Sequence, residues 1–312
     1  MVVVKHRNSF LEAREVDGTP GERYVCILLN SEALQAEVKA LISIWKVFDF
    51  TVCADGGANR LHDGLKSLAA TDGGDVVVGG RSERAEREED LLRAFCPTHI
   101  KGDLDSLRPD VEAYYRNAKS CVVRDSDQDT NDLQKCLRLA QELVQPSLRV
   151  PLLAGSVAGE VAGDAKEANS ENGSDGLRPV VVVVFGAFGG RFDQQMASLH
   201  ALYEYSSVFH RMVLLGDGNC ATLLAPDASH SITLVEGIEG PCCSLLPVGN
   251  RCERVSTSGL KWNLADQPLA LGELISSSNR VRSDGNEITV KTSEPLLWCC
   301  SSKFGNVGPA DC

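Results

Sequence analysis

Over the first two-thirds of the chain, short apolar runs alternate with stretches whose apolar residues recur at helical spacing. Tyr24–Leu29 reads as a strand, and Ser31 is placed to cap a helix running through Phe48. Leu34, Val38, Leu41 and Trp45 put an apolar stripe on one face of that helix. Phe50–Ala54 is the next strand, with a helix from about Ala58. Thr98–Lys101, Cys121–Arg124, Val180–Phe185 and Met212–Leu215 repeat the strand pattern. Helices at about Asp110–Asn117, Asn131–Val144 and Asp193–Ser207 lie between them. Strands alternating with helices predict an α/β fold built on a doubly wound, largely parallel sheet.

After about Asp217 the helical pattern stops. Cys220–Leu224, Ser231–Val235, Cys243–Leu246, Arg254–Ser256 and Glu287–Lys291 read as short strands separated by Gly, Pro, Asn and Asp. That pattern predicts a small all-β sandwich or barrel. At 312 residues two domains are expected, an α/β domain over 1–217 and a β-sandwich domain over 218–312. Two stretches interrupt the rhythm. Residues 71–90 hold a Gly-rich piece and a dense charge run, Arg81–Asp90, expected as a solvated helix or loop. Residues 154–176 are too polar to bury a core and are expected as a surface insertion.

Composition narrows the function. With 43% hydrophobic and 24% charged residues the chain is ordinary for a globular protein. Its formal net charge of −12 opposes nucleic-acid or anionic-membrane binding, both of which need a basic surface. A metal-nucleotide substrate stays open, since a divalent cation bridges acidic protein and acidic ligand. The charged first residues lack a signal-peptide core, and the longest strongly apolar run, Val180–Phe185, is too short for a membrane span. The 12 cysteines form no CxxC pair, so reduced, mostly buried thiols in a cytoplasmic protein are expected.

Four local patterns could carry chemistry. Lys101-Gly-Asp-Leu-Asp-Ser106 follows a strand and sets Asp103 and Asp105 at i and i+2. At about 4 Å and an effective dielectric of about 20, two such charges repel by roughly 4 kcal/mol. Mg²⁺ would offset that repulsion, while a solvated turn is the equal alternative from the motif alone. Asp125-Ser-Asp-Gln-Asp-Thr-Asn-Asp132 runs into a helix, where acids are favoured by the dipole with or without a function. It is not an EF-hand, because Thr130 and Cys136 stand at the positions that need Gly and an acid. Phe185-Gly-Ala-Phe-Gly-Gly-Arg-Phe-Asp-Gln194 and Asp55-Gly-Gly-Ala-Asn59 are strand-to-helix glycine turns, open to a phosphate or to no ligand. Neither is a Walker A loop. Gly216-Asp-Gly-Asn-Cys-Ala221 matches GxGxxA, but strand follows it and the dinucleotide reading fails. In the β region, Lys261 and Trp262 sit in a Gly-started turn, and the indole serves equally as core or as a platform for an aromatic ligand.

Taken in order, Ala54–Leu61, Gly102–Ser106, Asp127–Asp132, Gly190–Gln194 with Met196–Ser198, Gly259–Leu264 and Ser276–Asn279 resemble the eukaryotic thiamin pyrophosphokinase family. The resemblance implies an α/β nucleotide-binding catalytic domain, a thiamin-binding β-sandwich and a homodimer with shared active sites. It implies transfer of pyrophosphate from ATP to thiamin, giving thiamin diphosphate and AMP. By similarity, Asp103, Asp105 and Asp132 would ligate Mg²⁺ and Lys135 would reach the phosphates. Asp55, Gly56, Gly57, Asn59, Gly189, Gly190 and Arg191 would serve the nucleotide. Gln128 and Asp193 would meet thiamin, with Trp262 and Ser278 of the β domain. Asn131 and Leu133 around Asp132, and the turn Gly186–Gly190, depart from the family pattern without removing a charged group. The rival readings are a catalytically silent thiamin-binding protein and a metal-dependent nucleotide phosphohydrolase.

Overall fold

The computed structural model describes residues 2–12, 21–71, 77–78, 81–144, 178–283 and 287–305. In chain order, β1 (Val3–His6) precedes β2 (Arg23–Leu28), α1 (Glu32–Ser43), β3 (Phe50–Ala54) and α2 (Gly57–Thr71). An antiparallel pair, β4 (Val77–Val78) and β5 (Arg81–Ser82), leads into α3 (Glu83–Ala94). Next come β6 (His99–Gly102), α4 (Pro109–Asn117), β7 (Cys121–Arg124) and α5 (Asp132–Val144). They are followed by β8 (Val180–Phe185), α6 (Phe192–Glu204) and β9 (Arg211–Gly216). The rest is strand: β10 (Asn219–Leu224), β11 (Ser229–Ile232), β12 (Glu239–Leu246) and β13 (Cys252–Ser258). The last four are β14 (Gln267–Leu269), β15 (Ser276–Arg280), β16 (Ile288–Thr292) and β17 (Leu296–Ser302).

One sheet has the order β15-β12-β17-β10-β9-β8-β2-β3-β6-β7. From β9 to β7 every pairing is parallel, as the alternation of strands and helices predicts. Strand β8 shows why this part is doubly wound. Val181, Val183 and Phe185 enter the core shared with α1, α2 and α4, while Val180, Val182 and Val184 enter the core under α5 and α6. Both faces are covered, so the strand is apolar throughout. From β10 onward the same sheet is antiparallel, and the turn at Asp217 and Gly218 (φ 47 and 73) is a tight hairpin. That hairpin is where GxGxxA had offered a false dinucleotide signal.

A second sheet, β1-β11-β16-β13-β14, covers the antiparallel part. Ile232, Val255, Ile288 and Val290 from it share a core with Leu245, Leu296, Trp298 and Cys300 of the long sheet. This is the β-rich layer expected for the C-terminal region. The N-terminal strand β1 was not foreseen: it pairs in parallel with β11, Val3 opposite Ser229. Other differences are local. The helix after Ser31 ends at Ser43, followed by a 3-10 turn at Trp45–Val47. The charge run at 81–90 contributes most of α3, in which Leu92 is the one buried residue. The stretch 154–176 lies outside the described residues. Among the described residues ten cysteines are free thiols, most of them buried, but Cys242 is disulfide-bonded, so the expectation of thiols reduced throughout does not hold there. No described helix is long and apolar enough to cross a membrane.

Candidate active site

In the parallel half, the chain steps outward from β2 through β3, β6 and β7, then returns with β8 on the other side of β2. The two helices leaving β2 and β8 diverge there, opening a crevice at the strands' carboxyl ends. A cavity of about 780 Å³ occupies it, bordered by Asn30, Ser31, Asp103, Asp132, Lys135 and Gly190, among others. Ser31 also caps α1 by accepting from Ala33 N at 3.3 Å.

Acidic residues gather on one wall. β6 ends at Gly102, and the turn beyond it puts Leu104 in the left-handed region (φ 64). Asp103 Oδ1 accepts from Asp105 N at 3.2 Å, and Asp105 Oδ1 accepts from Ser106 Oγ at 2.9 Å. The solvated-turn reading is thus partly realised, because the carboxylates do brace their own turn. The same turn meets Asp55, at the end of β3: one oxygen each from Asp55, Asp103 and Asp105 lies within 4.8 Å of the others. Asp132, opening α5, joins from below. A Cβ on Gly102 would stand 2.7 Å from Asp55 Cβ and 3.1 Å from Asp132 Oδ1, so only glycine permits this approach.

The gathering is only partly relieved, by Lys135 beside Asp132 and by hydrogen bonds at Asp105. Burial pushes the Asp55 carboxyl up to about 6, with the Ser106 N–H bond pulling it down and the Asp132 charge adding to the rise. Asp132 is also raised, first by burial, with Lys135 opposing and the Asp103 charge reinforcing. Asp55 Oδ2 accepts from Ser106 N at 3.1 Å, while its buried Oδ1 has no partner. An orphaned carboxylate oxygen beside further carboxylates is a donor set that fits a hard divalent cation such as Mg²⁺. The sequence had placed Asp55 with the nucleotide; the structure adds it to the acidic group.

The remaining predicted residues fall into three groups. Gln128, Lys135, Gly189, Gly190 and Arg191 border the cavity. The Lys135 side chain is only 3% exposed, with Nζ 3.5 Å from Asp132 Oδ1. Arg191 pairs with Asp193 through Nε at 3.1 Å, both side chains largely exposed. Gly189 and Gly190 hold positive φ (88 and 70), and nothing lies within 4 Å of a Cβ on Gly190, leaving its backbone open to a ligand.

Gly56, Gly57 and Asn59 support the site from behind. A Cβ on Gly57 would stand 2.2 Å from Leu28 O, so glycine lets α2 start against the end of β2. Asn59 Nδ2 donates to Ser106 O at 2.7 Å, and Arg108 N donates to Asn59 Oδ1 at 3.1 Å. Trp262 and Ser278 come together elsewhere: Asn279, next to Ser278, bonds Trp262 N at 3.2 Å and Trp262 O at 2.8 Å. The indole is 55% exposed with Lys261 Nζ 4.3 Å from its ring centre, so here it is a platform rather than core. Neither residue borders the cavity of its own chain. Sequence reading had also left Arg60 without a role; it borders the cavity and donates to Asn30 Oδ1 at 2.9 Å.

Comparison with known proteins identifies the family. The family description "Thiamin pyrophosphokinase, catalytic domain" matches residues 41–214, and "Thiamin pyrophosphokinase, vitamin B1 binding domain" matches residues 229–297. Thiamine pyrophosphokinase 1 of Oryza sativa subsp. japonica is 35% identical over 83% of this chain and 81% of its own. Thiamine pyrophosphokinase 1 of Arabidopsis thaliana is 33% identical over 97% of this chain and 95% of its own. In fold, the chain resembles the crystal structure of yeast thiamin pyrophosphokinase, with a TM-score of 0.73 at 23% identity, covering 98% of this chain and 93% of that one.

Proposed function

The chain belongs to the thiamin pyrophosphokinase family, and from that premise we propose how its crevice transfers pyrophosphate from ATP to thiamin. The enzyme is a thiamine diphosphokinase, with ATP as co-substrate and thiamin diphosphate and AMP as products. The observation that carries the residue assignment is the meeting of Asp55, Asp103, Asp105 and Asp132 beside an open glycine turn. Those carboxylates would hold Mg²⁺, which when bound neutralises charge on the phosphate oxygens. Lys135 and Arg191 add positive charge at the cavity wall, and the Gly189–Gly190 backbone lets the phosphates come close.

Thiamin's primary hydroxyl forms a bond to the β-phosphorus of ATP as the bond from that phosphorus to the α–β bridging oxygen breaks. AMP leaves with that oxygen and the hydroxyl proton passes to a carboxylate, Asp132 or Asp103. Gln128 and Asp193 orient the aminopyrimidine. Trp262 and Ser278 complete the pocket from the second subunit of a homodimer, a reading supported by their distance from the cavity of their own chain. In functional terms, residues 1–217 supply the nucleotide side together with Gln128 and Asp193 for thiamin, although β1 pairs with β11 of the β layer, and residues 218–312 supply Trp262 and Ser278.

The test is AMP release with and without thiamin and Mg²⁺. AMP that requires both supports the scheme. Thiamin-dependent ADP would overturn β-phosphorus attack, AMP formation unaffected by metal removal would overturn the Mg²⁺ assignment, and phosphate released without thiamin would favour a phosphohydrolase.

A further inference from the structure

Asn59 and Asp63 lie four residues apart on one face of α2, and Asp55 stands just before that helix at the end of β3. All three reach the segment that follows β6. Asp55 Oδ2 accepts from Ser106 N at 3.1 Å. Asn59 bonds Ser106 O and Arg108 N. Asp63 accepts both terminal nitrogens of Arg108, Oδ2 from Nη1 and Oδ1 from Nη2, each at 2.7 Å. Residues 106–108 are therefore gripped from the β3–α2 junction by Asp55 and from the first two turns of α2 by Asn59 and Asp63, and the outermost grip is a planar two-point pair. Arg108 also immediately precedes α4, whose first residue is Pro109, and its Nε lies 3.4 Å from Asp110 Oδ1.

Asp103 and Asp105 sit upstream of this anchor and hydrogen-bond within their own turn. Whatever fixes the turn fixes them. Their mutual repulsion, and that of Asp55 and Asp132, opposes this close approach. We propose that Asp63 and Arg108 are positioning residues: their bidentate pair holds the Asp103–Ser106 turn at the distance from Asp55 and Asp132 that divalent binding needs. Neither residue borders the cavity, so they act through the turn rather than by touching substrate. The proposal rests on the metal assignment made above.

Direct Mn²⁺ binding to the full chain, followed by electron paramagnetic resonance without nucleotide, tests it alongside thermal unfolding. Asp63→Asn and Arg108→Lys should each weaken Mn²⁺ binding about tenfold, as losses of outer-shell support do, with little change in melting temperature. The lysine variant keeps the charge and removes only the fork, so it separates positioning from simple electrostatics. Arg116→Gln, which breaks the exposed Arg116–Glu112 pair at 2.8 Å on α4, should leave Mn²⁺ affinity unchanged. Wild-type Mn²⁺ affinity in both Asp63→Asn and Arg108→Lys, with binding lost in Asp103→Asn, overturns the positioning role and keeps the metal site. Wild-type affinity in Asp103→Asn overturns the metal assignment itself.

Discussion

At the scale of single residues, the proposed site chemistry rests on carboxylates gathered at one wall of the crevice. Asp103→Asn keeps the shape of the turn and removes one charge from the group. Turnover should fall at least about a hundredfold while circular dichroism stays that of the wild type, because the loss is in charge and not in packing. Near-normal turnover would remove Asp103 from the site. A second buried acid, Glu37 on α1, lies away from the acidic group. It is 2% exposed, its Oε2 has no partner, and a Cβ on Gly305 would stand 2.5 Å from its Cγ. Burial raises its carboxyl from 4.5 to about 7, with the Asp217 backbone bond opposing and the Asp217 charge reinforcing. A raised carboxyl stabilises the fold while protonated, fully below pH 4.5, and that contribution is lost as pH rises through about 7. Glu37→Gln stays neutral throughout, so its stability advantage over wild type should grow between pH 5 and pH 8. The growth should be on the order of 3 kcal/mol, read from denaturant melts at the two pH values. An equal gap at both pH values would show that Glu37 does not titrate in this range.

At the scale of elements, the glycine that starts α2 decides how close the helix comes to the sheet. Gly57→Ala would drive a methyl group into Leu28 O, and should destabilise the fold by about 1–3 kcal/mol in a thermal melt. Elements with one buried face were legible in the sequence. Leu34, Val38 and Leu41 announced α1, and the apolar run Val180–Phe185 announced a strand covered on both sides. Elements defined by distant partners were not. β1 has Lys5 exposed in its middle and exists because β11, more than two hundred residues later, offers it an edge. β15, Ser276–Arg280, carries no apolar alternation and is held by pairing with β12. The site divides in the same way. Asp103, Asp105 and Asp132 stood out from local spacing, whereas Asp55 joined them only through a close approach across Gly102. The partners of Asn59 lie 47 and 49 positions away, beyond what any local pattern can report.

At the scale of the whole molecule, the question is which chains build one active site. Trp262 is an exposed indole on a loop that Asn279 ties down, with a cation over its face and no place at the cavity of its own chain. Stacking on an aromatic heterocycle would use that face, and Trp262→Ala should raise the KM for thiamin more than that for ATP. If the indole serves the neighbouring subunit, two weak variants can repair each other. A hybrid of Asp103→Asn with Trp262→Ala then holds one doubly damaged site and one intact site, because each site draws its acids from one chain and its indole from the other. Random pairing makes half the dimers hybrid, so an equal mixture subjected to subunit exchange should recover about a quarter of wild-type activity. If both residues served the same chain, every site in the hybrid would carry one lesion and mixing would recover nothing. Assaying AMP release before and after exchange therefore distinguishes the two arrangements.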